Sequence, residues 1–118
     1  MACMKIITDD EKISRRDLTH MTKKMFGNFV KAVVDIKKEM IVIDAEMHAD
    51  EEALLLQRGS KKEDIWGINL YPEMEGDDFI EFDSMINLRP SQGNRSRSVD
   101  NPEVRKKIVQ IVNKLVMP

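Results

Sequence analysis

Two neighbouring segments rich in β-branched residues constrain the fold of this chain more than any other feature. The segments Phe29–Ile36 and Met40–Met47 alternate along their length, and only Lys37–Glu39 separates them. Alternation on both sides of so short a connection predicts an antiparallel β-hairpin. One face of this hairpin is apolar, whereas the opposite face carries most of its charged side chains, so we expect a sheet with one solvent-exposed face.

A second hairpin and three helices complete the predicted order of elements. Ile65–Tyr71 and Phe79–Arg89 are predicted to pair around an acidic turn, and Lys5–Thr8 is predicted to form a short first strand. The helices are predicted over about residues 15–26, between Asp50 and Gly59, and from Pro102 to the C-terminus. The order β-α-β-β-α-β-β-α favours an α+β fold: a mainly antiparallel sheet of four to five strands with the helices packed on one face. No linker divides the chain, so residues 1–118 are predicted to form a single domain.

Composition and motifs exclude several classes of protein. No apolar run approaches the roughly 20 residues that a membrane helix needs, so no membrane association is predicted. The single cysteine, Cys3, excludes an internal disulfide and a cysteine-rich zinc site, which together favour a cytoplasmic location. No phosphate loop, dinucleotide fingerprint, nucleophile elbow or zincin helix occurs, so no cofactor is predicted.

Charge reverses along the C-terminal third of the chain. Every charged residue from Glu73 to Asp83 is acidic, whereas basic residues predominate from Arg89 to Lys107. The loop at the reversal is rich in arginine, serine and asparagine, and arginine forks bind phosphate and carboxylate oxygens in a bidentate manner. This pattern predicts a binding module for a small anionic ligand, with the candidate residues Asn87, Arg89, Ser91, Asn94, Arg95, Ser96 and Arg97. The alternative interpretation is a polar loop whose arginines pair with the acidic hairpin.

His48 is the candidate catalytic residue. Its pKa lies near neutrality, so it is suited to acid–base catalysis, and Glu46 or Asp50 would be its acidic neighbours. This combination favours a hydrolytic or phosphoryl-transfer enzyme as the alternative function. The same three residues, Glu46, His48 and Asp50, are weak candidates for metal ligands. The competing interpretation is that His48 only ends a strand and that the acids after it stabilise the start of a helix.

Macromolecular partners are less strongly indicated. Nucleic-acid binding remains open but is not favoured, because no aromatic residue interrupts the segment Arg89–Arg97 and so none is placed to stack with bases. A protein partner is a further alternative, through the methionines Met21 and Met25 of the first helix or the basic residues of the last helix. The sequence carries no signal for a particular oligomeric state.

Three segments together resemble a known family: Met47–Glu52, Asp64–Pro72 and Glu81–Arg97. They are similar to a family of small prokaryotic proteins of unknown function, and the resemblance extends from about the first helix to the C-terminus. It implies a stand-alone cytoplasmic protein from a bacterium or archaeon. It implies no activity, cofactor or catalytic residue.

Overall fold

A five-stranded antiparallel sheet lies at the centre of the computed structural model, which describes residues 4–118. Cys3 lies outside the described residues. The strands are β1 (Lys5–Ile7), β2 (Ile13–Ser14), β3 (Val30–Asp35), β4 (Met40–Ile43), β5 (Ile65–Leu70), β6 (Ile80–Glu81) and β7 (Val116–Met117), and the helices are α1 (Arg15–Lys24), α2 (His48–Gln57) and α3 (Pro102–Leu115). The sheet has the order β1-β4-β3-β5-β6, so the prediction of an α+β fold with a mainly antiparallel sheet is confirmed.

The first predicted hairpin is present as β3 and β4. Val33 pairs with Val42 at its centre, and β3 also pairs along its whole length with β5. Because β3 lies between β4 and β5, it is the central strand of the sheet, and its last four residues, Ala32–Asp35, are fully or almost fully buried. The alternating pattern was therefore a reliable indicator of both strands.

The helices lie on both faces of the sheet, which differs from the prediction of one covered face. The large apolar cluster unites α1 and α3 with one face, whereas Leu55 of α2 packs with Val33, Val42 and Ile65 on the other face. The second face was expected to be open to solvent because it carries charged residues. It is covered because its central positions are valine, isoleucine and glycine, and because α2 has leucines to bury against them.

The second predicted hairpin is much shorter than expected, because β6 contains only Ile80 and Glu81. The rest of the predicted partner strand contains a short 3₁₀ turn over Met85–Asn87, and a second turn follows it over Pro90–Gln92. The side-chain amide of Asn87 replaces the missing strand: it accepts a hydrogen bond from the Gly67 N–H (2.8 Å) and donates one to the Gly67 carbonyl (2.9 Å). The prediction of a strand to Arg89 was wrong, because a side chain satisfies the backbone of β5 at this point.

Two of the helices have capped starts, and a small parallel sheet joins the start of α1 to the end of α3. Ser14 caps α1 by accepting a hydrogen bond from the Asp17 N–H (3.1 Å), as the sequence predicts. Asn101 caps α3 in the same way at the Glu103 N–H (2.8 Å). Strands β2 and β7 pair in parallel, with Ile13 opposite Val116, so the start of α1 is held beside the end of α3. No helix within residues 4–118 has the length and apolar character needed to cross a membrane.

Candidate anion-binding site

A groove of about 600 Å³ lies between the start of α1, the turn before β6 and the outer side of α3. Its walls carry three basic side chains, Arg15, Arg105 and Lys106, against one carboxylate, Asp77. The other lining residues are uncharged: Gly76, Phe79, Ile80, Phe82, Val109 and Asn113. A groove with an excess of positive charge and an apolar floor favours an anionic ligand.

Arg15 is held in place at the first position of α1. Its Nη1 donates to two backbone carbonyls, of Pro72 and Met74, each at 3.0 Å. Its guanidinium carbon also lies 3.8 Å from the centre of the Phe79 ring, a cation–π contact. These contacts anchor one side of the guanidinium group and fix its plane.

Arg105 is held in a similar way on α3. Its Nη1 donates to the Ser98 hydroxyl at 3.1 Å and to the Val99 carbonyl at 3.4 Å. Its guanidinium carbon lies 4.3 Å from the centre of the Phe82 ring. Both arginines of the groove are thus anchored through Nη1 and through an aromatic ring.

The free edges of these two arginines define what the groove can bind. Within residues 4–118, neither Nε nor Nη2 of Arg15 or Arg105 hydrogen-bonds to the protein. These two nitrogens form the side-on edge that binds two oxygens of a carboxylate or a phosphate. Lys106 is exposed and makes no ion pair with any residue among positions 4–118. The donors are therefore already positioned before any ligand arrives.

The arginine loop predicted from the sequence is organised differently. Arg89 is buried and donates to the carbonyls of Ile86 (3.0 Å), Lys62 (2.7 Å) and Ile65. Its guanidinium group also lies 4.4 Å from the centre of the Trp66 ring. Burial lowers the pKa of Arg89, and the nearby Glu52 carboxylate only partly opposes this effect. Arg89 supports the loop from inside and does not face a ligand.

Asn94 and Ser96 of the loop are also committed to internal hydrogen bonds, as is Asn87, whose side-chain amide bonds to the backbone of Gly67. Asn94 donates through Nδ2 to the carbonyls of Asn87 (2.7 Å) and Ser98 (2.7 Å), and its Oδ1 accepts from the Asp100 N–H (2.7 Å). The Ser96 hydroxyl donates to the Asp100 carboxylate at 2.6 Å. This hydroxyl and the Arg95 amide lower the pKa of Asp100. These contacts give the loop its shape and leave the named groups little capacity for a ligand.

Of the three remaining loop residues, one forms an ion pair and two are exposed to solvent. Arg97 donates through Nε to the Asp83 carboxylate at 2.8 Å, which is the pairing with the acidic hairpin that the alternative interpretation described. Arg95 and Ser91 are exposed, and within residues 4–118 their side chains make no hydrogen bond. The structure therefore does not bring the predicted ligand-binding residues together around one cavity.

His48 is the first residue of α2 and is half-buried. Its Nε2 lies 2.7 Å from the Ile68 carbonyl, which can only accept, so Nε2 carries the proton and Nδ1 is the free acceptor. Burial lowers the pKa of His48, the Ile68 carbonyl opposes this, and Lys31, Asp83 and Arg97 lie close enough for their charges to contribute. The fold thus places His48 near the end of the arginine loop.

The predicted metal ligands do not assemble. Glu46 and Asp50 are exposed, whereas His48 is turned towards β5. No cluster of three or more histidine, cysteine, aspartate or glutamate side chains that could hold a metal ion occurs in the described part of the chain.

Sequence reasoning identified only part of the groove. It recognised Arg105 and Lys106 as a basic helix face, but it missed Arg15, Phe79 and Phe82. Arg15 reaches the carbonyl of Pro72 across 57 positions of the sequence, so no local pattern could connect the two. The one available signal was the run of three basic residues near the start of α3, Arg105, Lys106 and Lys107.

Fold and site together define an α+β protein with a basic groove beside its antiparallel sheet. The chain belongs to the DUF5674 family, described as proteins of unknown function, whose sequence model matches residues 5–115. The predicted resemblance to a family of unknown function is thereby confirmed. No curated protein and no solved structure matches the chain.

Proposed function

We propose that this protein binds a small ligand bearing a phosphate or carboxylate group in the groove between α1, β6 and α3. The observation that carries this proposal is the pair of anchored arginines, Arg15 and Arg105, whose Nε and Nη2 groups have no protein partner within residues 4–118. Free donors on a fixed guanidinium group cost little conformational entropy when an anion binds.

The charges of the groove determine how binding should respond to salt. Arg105 and Lys106 are exposed, so dissolved salt screens their attraction for an anion. At 0.1 M ionic strength this attraction is largely lost beyond about 10 Å. Binding should therefore be measured at low ionic strength and should weaken as salt is added. The bidentate contacts are less affected, because they are short and directional.

The test is isothermal titration calorimetry with inorganic phosphate at low salt. Arg105→Gln and Lys106→Gln should each weaken binding, and Arg105→Gln should do so by about tenfold or more, because it removes two charged donors. Arg105→Lys keeps the charge but loses the fork, so its affinity should fall between that of the wild type and that of Arg105→Gln.

Arg95→Gln is the matched control, since it removes an exposed arginine from the loop and not from the groove. It should leave the affinity for phosphate unchanged. If Arg95→Gln abolished binding and Arg105→Gln did not, the site would lie in the loop.

A second candidate function is acid–base catalysis at His48. The specific observation is the hydrogen bond from Nε2 to the Ile68 carbonyl (2.7 Å), which leaves Nδ1 as the acceptor. Burial lowers the pKa of His48, so the ring is neutral near pH 7 and able to take up a proton. The neighbouring Asn69 amide has a buried Oδ1 with no partner in the described residues, an acceptor that folded proteins usually satisfy.

Screening chromogenic phosphate and carboxylate esters tests this second candidate. Turnover that is lost in His48→Asn but kept in His20→Asn, which changes an exposed histidine of α1, would support it. Equal turnover in the two variants would contradict it.

A further inference from the structure

We infer that the ligand of the groove carries two anionic groups, one for each anchored arginine, joined by an uncharged segment. This inference rests on the proposed function and specifies the class of ligand. It follows from where Arg15 and Arg105 are fixed and from what lies on the groove wall between them.

The two guanidinium groups are held apart by the aromatic rings beneath them. Arg15 lies over Phe79 and Arg105 lies over Phe82. These rings are three residues apart in a segment that is extended over Ile80–Glu81. Phe79 precedes β6 and Phe82 follows it. Arg15 adjoins β2, which pairs with the residues after the end of α3, whereas Arg105 lies about 15 Å of helix before that end, so the two arginines enter the groove from opposite ends.

Neither arginine can move towards the other without losing its anchors. Each donates two hydrogen bonds through Nη1 and contacts a ring face, and the partners of Arg15 are backbone carbonyls in the turn before β6. A single phosphate or carboxylate is too small to span both free edges. It would use one arginine and leave the other unused.

The wall of the groove also suits a ligand with an uncharged middle. Ile80, Phe82 and Val109 present apolar surface, and the Asn113 amide offers hydrogen bonds without charge. The one carboxylate, Asp77, belongs to the turn that precedes Phe79, at the Arg15 end. A linear molecule with an anion at each end and a hydrocarbon or planar centre matches the two arginines and the apolar wall, and Asp77 makes the Arg15 end the weaker of the two.

Calorimetric titration with the dicarboxylates succinate, adipate, suberate and sebacate tests the inference. Affinity should pass through a maximum at an intermediate length. Octanoate is the matched control, because it has the same number of carbons as suberate but only one carboxylate. The best dicarboxylate should bind about tenfold or more tightly than octanoate, since the second anchor acts intramolecularly.

Variants of each arginine separate the two ends of the ligand. Arg15→Gln and Arg105→Gln should each reduce binding of the best dicarboxylate to about the level of octanoate. Arg15→Lys covers the case in which Arg15→Gln does not fold, because it keeps the charge while losing the fork. Arg16→Gln, on the exposed side of the same helix, should have no effect.

The outcomes distinguish this inference from the proposed function. If octanoate and every dicarboxylate bound equally and all depended on Arg105, the ligand would need one anion only, and the inference would be overturned while the proposed function stood. If phosphate and all of these carboxylates failed to bind, both would be contradicted.

Discussion

Glu51 lies in the first half of α2 with no exposed surface, and its two carboxyl oxygens have no hydrogen-bond partner within residues 4–118. Its pKa is raised to about 10, mainly by burial. This effect outweighs that of the Ala45 amide and the Lys31 ammonium, which lower the pKa by favouring the ionised form. The Asp44 and Asp50 carboxylates contribute to the same rise. Glu51 is therefore protonated in the folded protein at neutral pH.

Because burial raises the pKa of Glu51, we predict that the protein loses stability as pH rises. The unfolded chain releases the proton of Glu51 near pKa 4.5, whereas the folded chain keeps it up to about 10. The unfolded state thus binds fewer protons between these values, and the free energy of unfolding falls with pH across that window.

The variant Glu51→Gln tests this directly, since the amide resembles the protonated acid and cannot ionise. Its melting temperature should equal that of the wild type near pH 4 and exceed it increasingly from pH 6 to pH 9. Thermal unfolding followed by circular dichroism across the pH range is the measurement. A constant difference between the two proteins at all pH values would show that Glu51 does not titrate in this way.

At the scale of elements, the segment from Ser84 to Asp100 is ordered mainly by side-chain amides, and its strand pairing is limited to an isolated antiparallel bridge between Arg89 and Asn94. Asn94 is almost fully buried and joins three carbonyls, of Asn87, Ser96 and Ser98, to the Asp100 N–H. Such a hub replaces the backbone ladder that a longer β6 would have supplied.

We therefore expect Asn94→Ala to destabilise the protein by roughly 2–4 kcal/mol, because it leaves several polar groups without partners. Urea unfolding at pH 7 gives the free energy of unfolding. Ser91→Ala, in an exposed position of the same loop, is the control and should change it by less than about 0.5 kcal/mol. Equal midpoints for Asn94→Ala and the wild type would mean that the loop does not depend on this hub.

The elements that sequence could predict are those with local causes. The hairpin of β3 and β4 follows from alternation, and the start of α3 follows from Asn101 before Pro102. The length of β6 has no such cause. The strand ends early because the segment after β6 crosses close to Gly67 of β5. A Cβ added at Gly67 would lie 2.6 Å from Ser84, so only glycine fits at this position.

At the scale of the whole molecule, the groove exists only because three distant parts of the chain meet. Arg15 donates to the carbonyl of Met74, 59 positions away, and Arg105 joins them from α3. Sequence could indicate a basic helix face and an excess of positive charge after Arg89. It could not show that Arg89 turns inward or that Arg97 pairs with Asp83, because burial and partners are tertiary properties.

The parallel pairing of β2 with β7 connects the two helices that carry the anchored arginines. It ties the two residues before α1 to the two residues after α3, so the start of α1, which carries Arg15, is joined to the end of the helix that carries Arg105. The anchored arginines therefore form a binding surface that needs little rearrangement when a ligand enters.

The most direct test of anion binding in the groove is an amide-shift NMR titration with phosphate at low salt. Saturable shifts should centre on Gly76–Phe82 and on Arg105–Asn113, and they should be small for Ser91–Ser98. Shifts confined to Ser91–Ser98, or no saturable shift in any part of the chain, would contradict the assignment of the groove as an anion-binding site.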